Sequence, residues 1–315
     1  VYYNKQLVDL LSEILGFPKR YTHGLVELEF NCPSCRNNKF NLAVNTDKKK
    51  FQCWACEYRG TIDKIVKEFG TIPQRRLYET IVSNSRIQIS KQNSKVEPIS
   101  IGSFRSMKHE WKDSLDFYAA KRYLATRKID PLLIAKWDIC YAEDGPYSNR
   151  VIIPSKRLDG KVEYFVARDF YDTDRYKYKN PPLRKSEIIF GEKFIDWKKP
   201  VILTEGVFDA IVLPNSVPIL GSKIEGNTKL IKTIVANRTP IIIGFDEDKT
   251  GLRGKKKVGK YLESLGITLY LLPENEYNDL AKAYQMKGKD YLISLIRGAK
   301  KYDEMDLAIK SLMMR

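Results

Sequence analysis

Two short apolar runs, each rich in β-branched residues and each stopping at a carboxylate, set the frame for this chain. The first reads Val201-Ile202-Leu203-Thr204-Glu205-Gly206-Val207-Phe208-Asp209-Ala210, and the second Ile241-Ile242-Ile243-Gly244-Phe245-Asp246-Glu247-Asp248. Runs of this length read as buried parallel strands where helical patterns separate them. Residues 208–213 and 226–236 supply those patterns, and 217–220 and 268–272 are further short strands. Strand, helix, strand, helix, strand is the order of an α/β layer. Right-handed crossovers hold such strands parallel, so Glu205, Asp246 and Asp248 come to one edge, where open α/β sheets place their sites. Three like charges at one edge repel unless a cation joins them, and an all-oxygen donor set suits Mg²⁺ or Mn²⁺. Taken singly, each acid reads as a solvated strand end. The pairing of Glu-Gly-x-x-Asp-Ala with Asp-x-Asp-x-x-Gly, which ends at Gly251, is what points to a site.

That pairing resembles the Toprim domain, shared by primases of the bacterial and phage type, type IA and II topoisomerases, some nucleases and a recombination mediator. The resemblance covers roughly 201–287. It implies an α/β fold, a Toprim parallel sheet with helices on both faces, and leaves the reaction open.

Composition narrows the partners. A chain of 315 residues has length for two or three domains, and its net charge of +16 favours a polyanion, because each neutralised phosphate releases counterion. A solubilising surface is the alternative, but acidic residues serve that purpose at least as well. No apolar run approaches membrane-spanning length and no secretory leader is legible, so the expectation is a soluble cytoplasmic protein without a membrane partner.

Cys32-x-x-Cys35 and, seventeen residues later, Cys53-x-x-Cys56 carry the second constellation. Each short turn can present two thiolates on one face, and two such turns complete a tetrahedral S₄ site with the spacing of a zinc ribbon. Two disulfides are the alternative, disfavoured in a reducing compartment. A closed four-thiolate site leaves no position for water, so one structural Zn²⁺ is expected. Between the knuckles, Lys39-Phe40-Asn41-Leu42-Ala43-Val44 and Lys50-Phe51-Gln52 read as ribbon strands. Phe40 and Phe51 either stack on single-stranded bases or pack a small core, and Trp54 is the better candidate for an exposed stacking residue. Arg59-Gly60-Thr61 leads into a helix over 62–69.

The run Cys-Pro-x-Cys, Lys-Phe-Asn-Leu-Ala-Val, Phe-x-Cys-x-x-Cys and a glycine before a helix resembles the zinc-binding domain of bacterial and phage primases over about 31–69. Many bacterial members use a His ligand; here all four are Cys, as in many phage members, so His23 and His109 are not needed.

An amphipathic helix over 4–15, stopped by Gly16-Phe17-Pro18, and a strand over 25–30 precede the knuckles. Polar composition marks 83–100 as a flexible linker. Residues 111–136 read as helical, with Asp130 capping a second helix that starts at Pro131, and Cys140 reads as an inert packed thiol. Arg150-Val151-Ile152-Ile153-Pro154, a turn at 158–161 and Val162–Arg168 make a hairpin. The run Asn-Arg-Val-Ile-Ile-Pro, Ala-Arg, Lys-Tyr-x-Asn-x-Pro, Lys, Phe-Gly is similar to the amino-terminal half of the primase polymerase core. That similarity nominates Arg150, Arg168, Lys177, Tyr178, Asn180 and Lys185 to hold nucleotide and template. Val166-Ala167 stands where the family has paired glycines. Tyr178 can stack on a base or pack.

Past the acids, 251–265 is a basic helix whose start could meet phosphate or simply face solvent. Asn278-Asp279-Leu280-Ala281 resembles the family's third acidic motif and adds Asp279 to the catalytic candidates. A helical tail follows over 289–315. The expected organisation is a zinc-ribbon domain over 1–82, the linker over 83–100, a mixed α+β basic subdomain of the polymerase core over 101–200, the Toprim subdomain over 201–288, and the tail.

Three function classes compete. A DNA primase would use Glu205, Asp246 and Asp248 to hold two or more Mg²⁺ or Mn²⁺ ions, and would take NTPs and a single-stranded DNA template. A non-catalytic recombination mediator also joins zinc and Toprim modules, but should lack the basic region 150–185. A topoisomerase or nuclease would need a tyrosine nucleophile on a large separate domain. No P-loop follows residue 287, and the resemblance is then greatest to the stand-alone primases of T4-type tailed phages. It implies a separate hexameric replicative helicase in a primosome, a single-strand binding protein as a further partner, and the host cytoplasm as the location.

Overall fold

A computed structural model of the chain describes residues 2–21, 26–36, 38–93, 104–110, 114–172, 176–183, 185–220, 224 and 228–313. The chain divides into two compact units, Val1–Lys95 with Ser264–Gly266, and Val96–Glu263 with Ile267–Arg315. His23, Leu25, 94–100 and 111–113 lie outside the described residues.

In the first unit, α1 (Tyr2–Leu15) precedes an antiparallel meander of β1 (Arg20–Tyr21), β2 (Glu27–Phe30), β3 (Leu42–Asn45), β4 (Lys50–Cys53) and β5 (Arg59–Thr61), paired in that order. Alternation along the strands buries Leu28, Phe30, Leu42, Val44 and Phe51 on one face. Leu7, Leu10 and Leu11 of α1, with Ile62, Ile65 and Val66 of α2 (Ile62–Phe69), complete that core. Tyr78, Ile81 and Val82 of α3 (Ile72–Asn93) join it. Phe51 is thus core, whereas Trp54 is 71% exposed. Arg59-Gly60-Thr61 leads into α2 as expected and also pairs with β4 as the edge strand of the meander. One expectation is corrected. Residues 83–93, expected as linker, continue α3; no Gly or Pro interrupts 74–97, so polarity alone does not end the helix.

The second unit holds two sheets. The first has the order β6-β7-β8-β9 and is antiparallel throughout: β6 (Arg105–Ser106), β7 (Cys140–Ala142), β8 (Arg150–Lys156) and β9 (Val162–Asp169). Between its first two strands lie α4 (Leu115–Thr126) and α5 (Pro131–Trp137), and Asp130 caps α5 by accepting from the Leu133 amide at 2.8 Å. Cys140 is buried in β7, its thiol pushed up to about 11 by burial.

The second sheet is built from β10 (Val201–Thr204), β11 (Ser216–Pro218), β12 (Ile241–Ile243) and β13 (Leu269–Leu271), all parallel, with an antiparallel edge strand β14 (Lys300–Lys301). Its order is β11-β10-β12-β13-β14. The helices α6 (Val207–Val212), α7 (Thr228–Asn237) and α8 (Lys249–Ser264) fill the crossovers. Every residue of β10 and β12 is buried although neighbours point to opposite faces, so both faces of the sheet are covered. After β13 come α9 (Leu280–Lys287), α10 (Lys289–Arg297) and α11 (Glu304–Met313). The expected helical tail is therefore split: the chain turns at Gly298, adds β14 to the sheet and resumes as a helix.

Candidate active site and metal centre

Two hairpin turns build the cysteine centre. Cys32 and Cys35 follow β2, while Cys53 ends β4 and Cys56 closes the turn after it. In both turns the residue after the second cysteine is left-handed, Arg36 at φ 53° and Glu57 at φ 58°. The four Sγ atoms lie within 4.8 Å of one another, with Cys32–Cys56 at 3.8 Å and Cys35–Cys53 at 4.0 Å. A tetrahedron with metal–sulfur bonds of about 2.3 Å has sulfur–sulfur edges of about 3.8 Å, so the cluster has the size of a zinc site. Burial pushes the Cys32 thiol up to about 12, and a cation among the sulfurs would favour the thiolate against that burial. His109 stands outside the group, as expected.

At the parallel sheet the acids stand on three loops that are tied together. Glu205 is the first residue past β10, and its Oε1 accepts from the Asp246 amide at 3.3 Å, three residues past β12. The Glu247 amide donates to the Asn278 carbonyl at 2.8 Å, which joins the loop after β12 to the loop carrying Asp279. Asp209 in α6 accepts from the Ala281 amide at 2.9 Å, which joins the first loop to the start of α9. Asp248 is exposed and caps α8 through the Gly251 amide at 2.7 Å; Asp279 caps α9 through the Lys282 amide at 2.5 Å. Gly251 has a steric reason: a Cβ there would stand 2.1 Å from the Asp246 carbonyl oxygen.

These acids feel one another. Burial and then the charges of Asp209, Glu205, Asp279 and Asp248 push the Asp246 carboxyl up to about 7. Burial likewise raises Glu205, helped by Asp248 and opposed by the Asp246 amide and Lys255. Their oxygens are less tightly gathered than the sulfurs: among the described residues, the four cysteines are the one group of three or more His, Cys, Asp or Glu side chains whose donor atoms come this close. Strand-end carboxylates keep side-chain freedom and spread under repulsion. An all-oxygen, half-buried and mutually destabilised donor set fits a hard divalent cation. Asp209 was not among the expected site residues. Nearly fully buried and raised to about 6 by burial, it contributes charge to the edge, and its signal was its place four residues after Glu205.

The basic segment divides by role. Arg150 is 2% exposed, and its guanidinium donates to the carbonyls of Tyr176 at 3.0 Å and Lys177 at 3.3 Å. Arg150, expected to hold nucleotide and template, is thus engaged with main-chain carbonyls, of which that of Lys177 also accepts from the Asp169 amide at 3.1 Å. Arg168 is also buried, paired with Asp172 at 2.8 Å and bonded to the Tyr123 hydroxyl at 3.0 Å. Asn180 accepts from the Ala167 amide, and the Lys185 ammonium donates to the Leu220 carbonyl at 3.0 Å. Lys177 and Tyr178 are exposed, and the Arg168 guanidinium lies 5.2 Å from the Tyr178 ring. Arg127, absent from the expected set, sits beside them: it lies 4.4 Å from the Phe208 ring, 4.9 Å from the Tyr123 ring, and donates to the Tyr123 hydroxyl at 2.6 Å. The Tyr178 residue is 45% exposed, but its hydroxyl end is enclosed, which raises it; Arg127 and Arg168 lower it and Asp209 raises it. The basic cluster therefore adjoins the carboxylate edge.

No protein-family model matches the chain. Several DNA primases resemble it in sequence. That of Aquifex aeolicus is 24% identical over 339 aligned positions, covering 93% of this chain and 67% of that protein. Those of Thermotoga maritima and Mycoplasma genitalium are each 20% identical, covering 86% and 83% of this chain and 56% and 54% of those proteins. The chain thus spans between about half and two thirds of the length of these relatives. Among solved structures, the zinc-binding and RNA polymerase domains of Aquifex aeolicus primase align over 96% of this chain and 85% of theirs, at 21% identity and a TM-score of 0.52. The RNA polymerase domain of Mycobacterium tuberculosis primase aligns over 63% of this chain and 81% of its own, at 18% identity and a TM-score of 0.52. The E. coli primase catalytic core gives 64%, 78%, 18% and 0.50 for the same measures. The relatives are RNA-polymerase-type nucleotidyltransferases, and the fold of this chain is that of the zinc-binding and RNA polymerase domains of bacterial DNA primase.

Proposed function

We propose that the protein is a DNA primase that joins ribonucleotides into short RNA primers on single-stranded DNA. The observation that carries this reading is the adjacency of the carboxylate edge at Glu205, Asp209 and Asp246 to the cation–aromatic cluster of Arg127, Arg168 and Tyr178. Nucleotidyl transfer needs both, acids for divalent cations and cations for phosphate oxygens.

Glu205, Asp246 and Asp248, with Asp279 beside them, would hold the Mg²⁺ or Mn²⁺ ions. Such ions lower the pKa of an attacking 3′-hydroxyl and stabilise the leaving pyrophosphate. The 3′-oxygen bonds to the α-phosphorus, the bond from that phosphorus to the bridging oxygen breaks, and pyrophosphate leaves. We assign Glu205, raised by burial, to receive the hydroxyl proton. Lys177 and Tyr178 face solvent and meet nucleotide or template, with Arg168 behind them. Arg150, Asn180 and Lys185 shape this surface from beneath through main-chain carbonyls and amides.

The zinc unit holds template through Lys50, Arg59 and exposed Trp54, which face an open groove on the ribbon sheet. The RNA polymerase domain of the Mycobacterium tuberculosis primase has been solved with a DNA oligomer carrying a 6-nucleotide overhang, which supports a DNA partner here. The all-cysteine ligand set supports the branch of T4-type phage primases. On that reading, the partners are a hexameric replicative helicase and a single-strand binding protein, and the site of action is the host cytoplasm. Among the described residues no helix is long and apolar enough to cross a membrane.

The test is primer synthesis on mixed-sequence single-stranded DNA with labelled NTPs and Mg²⁺, with and without Asp246→Ala. Short ribonucleotide ladders that vanish in the variant support the assignment. No ladder from the wild type, even with a helicase added, overturns it.

A further inference from the structure

Of Arg127, Arg150 and Arg168, the structure commits two. Arg150 serves the carbonyls of Tyr176 and Lys177, and Arg168 is neutralised by Asp172. Arg127 differs. It is the first residue past α4, half-buried, and among the described residues no carboxylate pairs with it. Keeping a guanidinium partly out of water without a counter-charge is costly. The rings of Phe208 and Tyr123 offset part of that cost and hold the side chain still. Its Nε is used on the Tyr123 hydroxyl, and no described group takes the two terminal nitrogens. A planar fork, pre-oriented by stacking and with donors to spare, matches two oxygens of a phosphate.

Its position gives the ligand. Phe208, against which it stacks, is three residues past Glu205, and Arg127 and Asp209 both act on the Tyr178 hydroxyl. A group that spans from carboxylate-held cations to this fork must be anionic at several points. The triphosphate of an incoming nucleotide is such a group, with its charges on three directly linked phosphates, whereas template phosphates carry one charge each and stand a nucleotide apart. The guanidinium lies over a face of both neighbouring rings and so uses aromatic surface that could otherwise stack on a base. We propose that Arg127 binds the triphosphate of the incoming nucleotide. This rests on the primer-synthesis reading above and adds a residue that the similarity to the primase core does not nominate.

The test compares the full chain with Arg127→Met, Arg127→Lys and the control Arg122→Met, an exposed arginine of α4. Four quantities are read: KM for NTP and kcat in primer synthesis, Kd for ATP with Mg²⁺ by equilibrium dialysis, Kd for single-stranded DNA by anisotropy, and the melting temperature. Arg127→Met should raise both KM and the ATP Kd about tenfold or more, as expected for loss of a charge-assisted bond, with DNA affinity within about twofold of wild type. Arg127→Lys should recover part of the loss, and Arg122→Met should change neither. Unchanged KM and ATP Kd in a folded Arg127→Met overturn the proposal. So does weakened DNA binding with KM unchanged, which would make the ligand a template phosphate. If Arg127→Met does not fold, Arg127→Lys decides: a raised KM at an unaltered melting temperature supports the proposal, and an unaltered KM overturns it. A wild type that binds ATP yet makes no primers sinks the primase reading alone and leaves the dialysis comparison to judge Arg127.

Discussion

The four-cysteine centre and the carboxylate edge are both donor sets that a cation can join, and the fold treats them in opposite ways. The thiols stand on two turns that each end in a left-handed residue, with all four Sγ atoms within 4.8 Å of one another, and Cys32 and Cys53 are buried among the core of the first unit. The carboxylates stand on three loops linked by hydrogen bonds from main-chain amides, half-exposed and repelling one another. A closed, pre-assembled set is suited to holding a fold together. An open, electrostatically strained set keeps places for substrate oxygens and is suited to chemistry.

The comparison breaks first at the cysteines. Cys53→Ser removes a ligand that is also a core residue of a small unit, and metal-coupled folding is worth on the order of 10 kcal/mol. The variant should lose zinc and the folded circular dichroism of the first unit, while unit 2 keeps its own melting transition. A variant that retains one equivalent of zinc and native spectra would falsify the closed-site assignment.

The second effect is on chemistry. Asp246→Ala should lower primer synthesis by at least about a thousandfold, roughly 4 kcal/mol, with folding and single-strand DNA affinity nearly unchanged. Combined loss of fold and DNA binding would instead make Asp246 a structural acid like the thiols.

A third, smaller effect concerns the support beneath the edge. Lys255 of α8 pairs with Glu247 at 2.7 Å, and both side chains are buried, at 6% and 10% exposure. Removing one partner takes the nearest opposite charge away from a buried group, so Lys255→Met should cost about 3 kcal/mol in urea unfolding. The double variant Lys255→Met with Glu247→Gln should regain a large part of it. A cost below about 1 kcal/mol for the single change would mean that the pair behaves as a surface pair.

What the sequence disclosed follows the same division. Spacing alone defines the cysteine centre, since two Cys-x-x-Cys turns have one compact way to converge. The parallel sheet was legible because Val201–Thr204 and Ile241–Ile243 are covered on both faces and so read as unbroken apolar runs. Arg150 was not, because a buried arginine and a phosphate-binding one are the same letter, and only the carbonyls of Tyr176 and Lys177 reveal its use. Arg127 carries no motif; its meaning comes from Phe208, 81 positions away in the chain, packing against it. The helical reach of α3 through 83–93 was hidden by composition, since polar residues without Gly or Pro are compatible with either state.

The smallest effect sharpens the contrast through pH. Asp246 has a folded-state pKa raised from 3.8 to about 7, so the folded protein keeps its proton where the unfolded chain has lost it. The folded state therefore binds more protons between about pH 4 and 7, and the contribution of this group to stability is present at low pH and falls as pH rises through that window. Asp209, raised to about 6, and Glu205 act in the same direction. The slope is at most about 1.4 kcal/mol per pH unit for each proton. Other carboxyls, such as Asp138 beside Lys108 and Lys156, are lowered and act oppositely, so the measurement is a difference. In EDTA, the melting temperature of the wild type minus that of Asp246→Asn should fall from pH 5.5 to 7.5, and millimolar Mg²⁺ should flatten that fall by favouring the ionised acids. A difference that is flat in EDTA would mean that Asp246 ionises as freely as a surface acid. The carboxylate edge would then lack the electrostatic strain that distinguishes it from the cysteine centre.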